Sequence, residues 1–503
     1  MKHLSLIATT ISCIGGFLFG YDIGVISGVL AMPTFPAYFG IQGDAATIAT
    51  MKGDVVSILQ AGCCAGALLI NFVADPYGRK WSIVLSSFIF IIGSILQVVA
   101  QNLPTMMAGR FFGGFGIGAC SMLVPMYIAE IAPRKLRGRL GTLWQFLIVL
   151  GIMISYWIDY ACLRNLPVSN TQWRVPLGIQ LAPGGILFIG MAFLPESLRW
   201  LALKGRDEDV KRNLLKLRDL PEDHPEIIEE LEEINAAAAF ERESKLGKWT
   251  ELFQRNNLHR LFIGIMLQIF QQWTGTNAIN YYAPEIFKST GLDSNETEIL
   301  ATGVYGVVKV AFVFVSFFMV DTKLGRRRTL MIGSVIMMVA FYICGGMILG
   351  IERENKGVIS AAAGTQVGAK GYVAMVCIYI FAVGYEFSWG PIVWVVCSEI
   401  YPTRIRAMAL SLTTAFNWAM NATIAKVTPI MIAKITYGTY FFFGSMAVVM
   451  GLFAFVFLPE TRGRSLEEMD EIFNKGMVLA YKDKYVVDKE QIKRDEEAGI
   501  YKE

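Results

Sequence analysis

The sequence predicts an all-α membrane protein with twelve transmembrane helices, arranged as two six-helix bundles joined by a cytoplasmic helical linker. The composition is the first reason: of 503 residues, 54% are hydrophobic and 17% charged, and the mean hydropathy is +0.47. Such values do not fit a soluble globular protein. The second reason is a series of long apolar runs, and the third is a set of charged motifs that occur twice in the same order.

Each apolar run is close to the roughly 20 residues that a helix needs to cross a bilayer. The first six lie at 6–30, 54–74, 80–100, 105–129, 139–160 and 176–194. The second six lie at 259–283, 297–320, 329–350, 371–397, 405–430 and 437–458. The polar interval between them predicts two amphipathic helices packed beneath the bundles. The predicted domains are an N-terminal bundle (1–195), a linker (196–258), a C-terminal bundle (259–460) and a cytoplasmic tail (461–503).

Basic residues in the short loops predict the orientation. Arg and Lys are concentrated between spans 2 and 3, 4 and 5, 8 and 9, and 10 and 11. Because cytoplasmic loops of membrane proteins are enriched in these residues, the four loops and both termini should be cytoplasmic. We expect the membrane to be the plasma membrane.

The duplicated motifs suggest two bundles related by a pseudo-two-fold axis. DPYGRK at 75–80 corresponds to DTKLGRR at 321–327, EIAPRKLR to EIYPTRIR, and PES to PET. Acidic side chains at cytoplasmic helix ends can pair with Arg of neighbouring helices, so we predict an inner gate that latches the bundles when the inner side is closed. Its residues are Asp75, Arg79, Glu130, Arg137, Glu196, Asp321, Arg326, Glu399, Arg406 and Glu460.

Several longer motifs resemble those of the sugar porter family, within the major facilitator superfamily. They are PESLRW at 195–200, QQWTGTNAINYY at 271–282, PETRGRS at 459–465 and GRFFGGFGIG at 109–118. The similarity covers nearly the whole chain and is greatest to fungal members. Pro76 departs from the Arg that the family usually has, and Trp389 from the proline of animal facilitators. The resemblance implies import of a monosaccharide, a hexose or pentose, by alternating access.

Three amides in span 7 predict a polar cavity. Gln271, Gln272 and Asn277 lie within one broad face of a helix, and amides facing lipid would be costly. The resemblance implies that these side chains contact the sugar, although each could instead form an interhelical hydrogen bond. The same resemblance adds five residues to the substrate-binding set: Gln145, Gln268, Glu386, Trp394 and Asn417.

Asp22 and Arg110 form the predicted proton-coupling pair. Proton-coupled members of the family resemble this chain in having Asp at the position of Asp22, and Arg110 matches its partner. We expect ionised Asp22 to pair with Arg110, and protonated Asp22 to release it so that the N-terminal half can rearrange. The alternatives are a permanent structural pair and a uniporter.

Lys309 places a cation in the middle of the span TGVYGVVKVAFVFVSFFMV, where charges are costly and usually functional. Many sugar porters have a substrate-contacting Asn here. Lys309 either pairs with Glu386, and the pair binds a neutral sugar, or it faces the carboxylate of a sugar acid or quinate-like acid. Because Glu386 is retained, we favour the first interpretation. Lys426, near the end of span 11, is expected to snorkel to water without a role.

Other function classes fit less well. GRFFGGFGIG lacks the preceding strand and the GK[ST] of a phosphate loop, and its glycines instead predict close helix packing. The three His residues form no metal motif, so we predict no enzyme, no cofactor and no metal. The net charge of +3 indicates no nucleic-acid partner. A non-transporting sugar receptor is a further alternative; the expected partners are the monosaccharide, a proton and membrane lipid.

Overall fold

The computed structural model describes residues 3–132, 137–243, 249–290, 295–319, 324–354, 368–402 and 405–462, with 469, 472 and 473. These residues form helices and no strand. Two of the predicted gate residues fall outside this description: Asp321 entirely, and Arg137 for its side chain. The all-α architecture predicted from the apolar runs is therefore present throughout the described part of the chain.

The N-terminal half contains nine helices among the described residues. They are α1 (His3–Ala31), α2 (Thr34–Phe39), α3 (Ala45–Leu69), α4 (Asn71–Tyr77), α5 (Arg79–Val99), α6 (Leu103–Ile131), α7 (Arg137–Asn165), α8 (Thr171–Ile179) and α9 (Leu181–Phe193). Helices α3 and α4 together form the second predicted span, and α8 and α9 the sixth.

The linker and the C-terminal half follow in the same manner. The linker helices are α10 (Leu198–Leu203), α11 (Asp207–Arg218), α12 (Pro225–Glu243) and α13 (Trp249–Leu252). The C-terminal helices are α14 (Arg255–Trp273), α15 (Thr276–Lys288), α16 (Asn295–Met319), α17 (Arg326–Glu354), α18 (Ala369–Phe387), α19 (Pro391–Ile400), α20 (Arg406–Ile435) and α21 (Tyr437–Phe457).

Ten stretches of the described chain are long and apolar enough to cross a membrane. The two predicted spans not among them are the helix pair α14–α15 and helix α20. Both carry rows of amide side chains, which lower their hydropathy. Polar and interrupted helices are tolerated at membrane depth where they are buried within the protein, and α14 and α15 both pack against α20 with their amides buried.

Close helix packing explains the glycines of α6. A Cβ atom at Gly114 would collide with the backbone of Leu59, and one at Gly118 with the backbone of Cys63, both on α3. The predicted packing role of these glycines is confirmed. Helix α1 packs along α7 within the same half, whereas α3 meets α20 and α7 meets α16 across the two halves.

The linker helices pack against the N-terminal half. Leu214 and Leu217 of α11 and Ile227 of α12 belong to the hydrophobic core of that half. Arg218 ties them to the end of α6, since it donates to the carbonyl of Ile131 at 3.0 Å and pairs with Glu230. The two helices predicted from the polar interval are present as α11 and α12, and they cover one end of the bundle.

Candidate functional site

A break in one helix pair organises the centre of the molecule. Gly275, between α14 and α15, has a φ of 89°, a left-handed conformation that glycine adopts without steric cost. The break allows amides at the end of α14 and the start of α15 to meet. Asn277 donates to Gln272 Oε1 at 2.6 Å, and both side chains are buried.

The amides continue as a connected chain to α20. Gln272 donates to Asn417 Oδ1 at 2.9 Å. Asn417 in turn donates to Gln268 Oε1 at 2.7 Å and to Gln271 Oε1 at 2.9 Å. All of these side chains are at least nine-tenths buried. Because each amide both donates and accepts, the chain can exchange internal hydrogen bonds for those of a hydroxyl-bearing ligand.

A second break, between α18 and α19, meets the same chain. Gln271 donates to the carbonyls of Trp389 at 2.9 Å and Gly390 at 3.0 Å, which the break leaves without helical partners. The indole of Trp389 donates to Ser334 Oγ at 2.8 Å and Leu330 O at 3.1 Å, on α17. Trp389, a departure from animal facilitators, therefore anchors this break.

Lys309 of α16 lies at the other end of the series of hydrogen-bonded amides. Its Nζ is 3.1 Å from Glu386 Oε1 of α18, so the pair predicted from the sequence is present. Lys309 also donates to Asn280 Oδ1 at 3.1 Å, and its ammonium lies 5.6 Å and 5.8 Å from the rings of Tyr305 and Tyr385. An ammonium group has three donors, and Asn280 and Glu386 are its two polar neighbours among the described residues, so the third donor has no polar partner there. Lys309 and Glu386 are 2% and 0% exposed.

Asn280 is a member of the site that the sequence analysis missed. Its Nδ2 donates to Asn277 Oδ1 at 3.0 Å, so it links Lys309 to the amide chain. The signal was available, because Asn280 follows Asn277 by one helical turn. Gln145 and Trp394, also predicted to bind substrate, are half-buried and do not join this network of the described residues.

Asp22 and Arg110 form a separate buried pair in the N-terminal half. Arg110 Nη1 lies 3.4 Å from Asp22 Oδ1, and both side chains are fully buried. Arg110 also donates to Val55 O at 2.9 Å and reaches Gln97 Oε1 at 3.5 Å. The predicted pairing is present, and the other carboxyl oxygen, Asp22 Oδ2, has no hydrogen bond in the described structure.

Charged residues cluster where α4 and α5 meet. We call the face that carries Arg79 and Lys80, and in the other half Arg326 and Arg327, the basic face. Glu196 accepts from the backbone N–H groups of Arg79 and Lys80, each at 3.0 Å. Arg79 lies 3.4 Å from Glu130 and 3.7 Å from Asp75. Burial raises the pKa of the Glu196 carboxyl, and the backbone hydrogen bonds oppose that rise.

The C-terminal half repeats this cluster, as the duplicated motifs predict. Glu460 accepts from the backbone N–H of Arg326 at 2.8 Å and of Arg327 at 3.3 Å. Arg326 pairs with Glu399 at 3.2 Å. Arg406 instead donates to the carbonyl of Tyr401. In this conformation the ion pairs described for both clusters join helix ends within one half, not between halves.

Ion pairs between the halves lie toward the opposite face, away from the basic clusters. Lys52 of α3 pairs with Glu285 of α15, and Lys426 of α20 pairs with Asp54 of α3. The expectation that Lys426 has no role beyond snorkelling to water therefore needs correction. Lys426 also donates to the carbonyl of Thr50 at 3.3 Å. Sequence spacing gave no sign of these pairs, because their partners lie more than 200 positions apart.

Duplicated helical halves, broken helices and buried polar networks at mid-depth define the class: a multi-pass membrane transporter. The chain matches the family model described as "Sugar (and other) transporter" over residues 8–473, and it belongs to that family. The sugar porter resemblance and the major facilitator fold are thus confirmed. The chain is a transporter and not an enzyme.

Relatives and solved structures agree over almost the whole chain. The chain is 36% identical to a "Probable quinate permease" of Neosartorya fischeri, covering 99% of this chain and 93% of that protein. It is 34% identical to a "Quinate permease" of Emericella nidulans, covering 94% and 89%. The proton:xylose symporter XylE bound to 6-bromo-6-deoxy-D-glucose superposes with a TM-score of 0.76, at 28% identity, covering 93% and 99%.

Proposed function

We propose that the chain is a proton-coupled permease for a cyclic acid that carries several hydroxyl groups, of the quinate type. The observation that carries the proposal is Lys309, a buried cation with one free donor at the end of an amide chain. The names of the similar fungal permeases support the same substrate class. This proposal reverses the preference for a neutral monosaccharide that followed from the sequence.

In this proposal the two parts of the ligand are recognised separately. The ring hydroxyls replace internal hydrogen bonds of Gln268, Gln271, Gln272, Asn277 and Asn417, which can each donate and accept. The carboxylate takes the free donor of Lys309. We place the half-buried Gln145 and Trp394 along the path by which substrate reaches this site.

Charge balance connects acid binding to a proton. A substrate carboxylate bound at Lys309 would share one ammonium with Glu386, leaving one uncompensated negative charge in a buried site. Two carboxylates sharing a site do not both stay ionised. We propose that Glu386 takes up a proton as the acid binds, so that Lys309 changes partner from Glu386 to the substrate.

The second proton-linked element is Asp22. While ionised it holds Arg110 against α1; once protonated it releases Arg110 to Val55 and Gln97, which already lie within its reach. The N-terminal half can then rearrange around bound substrate. A permanent structural pair would not respond to pH.

We place the basic face in the cytoplasm, with both termini, and the membrane as the plasma membrane. The clusters at Glu196 and Glu460 would then hold the cytoplasmic helix ends of each half, as an inner gate requires. The interbundle pairs Lys52–Glu285 and Lys426–Asp54 would close the extracellular side. In this arrangement the substrate site alternates between the two sides.

A neutral hexose or pentose is the second candidate. It is favoured by the fact that Glu386 already neutralises Lys309, so that the empty site presents no net charge. The similarity to the xylose symporter supports it as well. Asn280 and the amide chain would then contact the sugar, and the Lys309–Glu386 pair would bind a hydroxyl.

Proteoliposomes containing a pH-sensitive dye separate these candidates. We would add quinate, galacturonate, xylose and glucose one at a time, and record labelled uptake and internal acidification together. Acid uptake with proton entry, unaffected by excess glucose, is the expected result. Xylose or glucose uptake that quinate does not inhibit would replace the acid by a monosaccharide. Uptake without acidification would indicate a uniporter, and binding without uptake a receptor.

A further inference from the structure

Asp159 of α7 is a buried carboxyl group that no step above uses. Its side chain is 0% exposed and lies against the backbone of Gly28, and no side chain of the described residues hydrogen-bonds to either carboxyl oxygen. The two other buried carboxyl groups described above within the spans each face a cation, Asp22 beside Arg110 and Glu386 beside Lys309. Asp159 forms no ion pair with any described Lys or Arg.

The neutral form of a carboxyl group fits this setting better than the ionised form. Moving an isolated ionised carboxylate out of water costs far more than its neutralisation, so the acid form is the one that the closed site accommodates. The titratable groups around it are Tyr21 of α1 and Tyr156 and Cys162 of α7, none of which supplies a positive charge. Asp22 is the nearest carboxyl group along α1.

Asp159 lies near the end of α7, farther from the basic face than Asp22. It lies against Gly28 of α1, where a Cβ atom would collide with the carboxyl group. Gly28 is six residues beyond Asp22, or about 9 Å along the helix axis. Because α7 begins at the basic face and ends six residues after Asp159, the carboxyl lies between Asp22 and the opposite, extracellular face.

The same turn of α7 contacts the C-terminal half. Tyr156, one helical turn before Asp159, donates to the carbonyl of Asn280 at 2.8 Å. Asn280 is the residue that binds Lys309. Separation of the halves on the extracellular side must break this bond, and water then reaches the part of α7 that holds Asp159.

We propose that Asp159 is a second proton-binding site of the transport cycle, which must be protonated before the extracellular side can close. The inference rests on the proposed proton coupling and extends it from Asp22 to a second carboxyl group. With the extracellular side open, Asp159 is hydrated and can ionise. The contact with Gly28 lies within the N-terminal half and persists through the cycle; closure removes the water at its edge, and the dry site accepts only the acid form.

The test uses full-length protein in proteoliposomes, with initial quinate uptake measured against external pH at fixed internal pH. Asp159→Asn replaces the neutral acid by an uncharged amide of the same shape, so the variant should fold and transport. A proton needed for closure contributes at most about a tenfold change in rate per pH unit. The slope of the logarithm of the uptake rate against external pH should therefore be shallower in D159N than in the wild type by up to one. D159N should also retain uptake at alkaline pH.

Two further variants identify the cause. Asp159→Glu keeps a carboxyl group and should show the pH slope of the wild type. This comparison tests the inference even if D159N folds poorly. Ser155→Ala alters the same contact with α1 at Gly24 without removing a titratable group, and should leave the slope unchanged. A slope in D159N equal to that of the wild type would refute the role of Asp159 and leave the proposed function unaffected. Absence of proton entry in the wild type would overturn the proposed coupling and, with it, this inference.

Discussion

The substitution Glu386→Gln tests the exchange of partners at Lys309. Glu386 Oε1 lies 3.1 Å from Lys309 Nζ. A substrate carboxylate on the third N–H of the ammonium would lie at a similar distance, which, with tetrahedral donors, puts the two carboxylates about 5 Å apart. At an effective dielectric constant of about 20, they repel by about 3 kcal/mol. Gln at this position removes that repulsion.

We expect the quinate Kd of E386Q to be up to about 100-fold lower than that of the wild type at alkaline pH, where Glu386 is ionised. At acidic pH the two proteins should bind quinate equally, because Glu386 in the wild type is then protonated. Calorimetry on purified protein at several pH values measures the quinate Kd of E386Q and of the wild type. The methyl ester of quinate, which lacks the charge, should bind both proteins alike at every pH.

The double variant Lys309→Gln/Glu386→Gln is the matched control, since it keeps the buried site neutral. A hydrogen bond to a charged group contributes about 1.5–3 kcal/mol, so quinate should bind this variant about 10- to 100-fold more weakly than E386Q. Binding of the methyl ester should change little. An unchanged quinate Kd in E386Q across the pH range would refute the exchange and favour a neutral sugar.

Three further predictions concern the charged pairs. Asp22→Asn should retain downhill exchange of labelled substrate but lose accumulation driven by a pH gradient; accumulation equal to that of the wild type would contradict a coupling role. Asp54→Ala should lower the KM for external substrate by up to about fivefold, because a partly exposed pair contributes about 0.2–1 kcal/mol to the closed extracellular side. The charge-reversed variant Asp54→Lys/Lys426→Asp should return the wild-type KM, and failure to do so would show that the pair does not stabilise that state. Because burial raises the pKa of Glu196 above 4.5, its contribution to stability is greatest below that pH and is lost as pH rises through the folded value. The Tm of the wild type minus that of Glu196→Gln should therefore decrease between about pH 4 and pH 7, and a difference that increases would have the wrong sign.

The sequence alone determined the fold class and much of the charged framework. The length of each apolar run predicts a membrane span, and the duplicated motifs mark the helix ends of two equivalent halves. The intramembrane charges Asp22, Arg110, Lys309 and Glu386 were visible as exceptions in apolar runs. Their pairing could be anticipated because a buried charge requires a partner.

Only the tertiary structure decided which residues meet across the chain. Asn280 joins Lys309 to the amides because the break at Gly275 turns α15, and a linear sequence does not show that rotation. Asp54 and Lys426 are ordinary charges near the predicted ends of two spans until α3 and α20 are packed together. Asp159 has a chemical meaning only through what surrounds it. Burial and the absence of a cation are properties of packed helices, and no pattern along one helix records them.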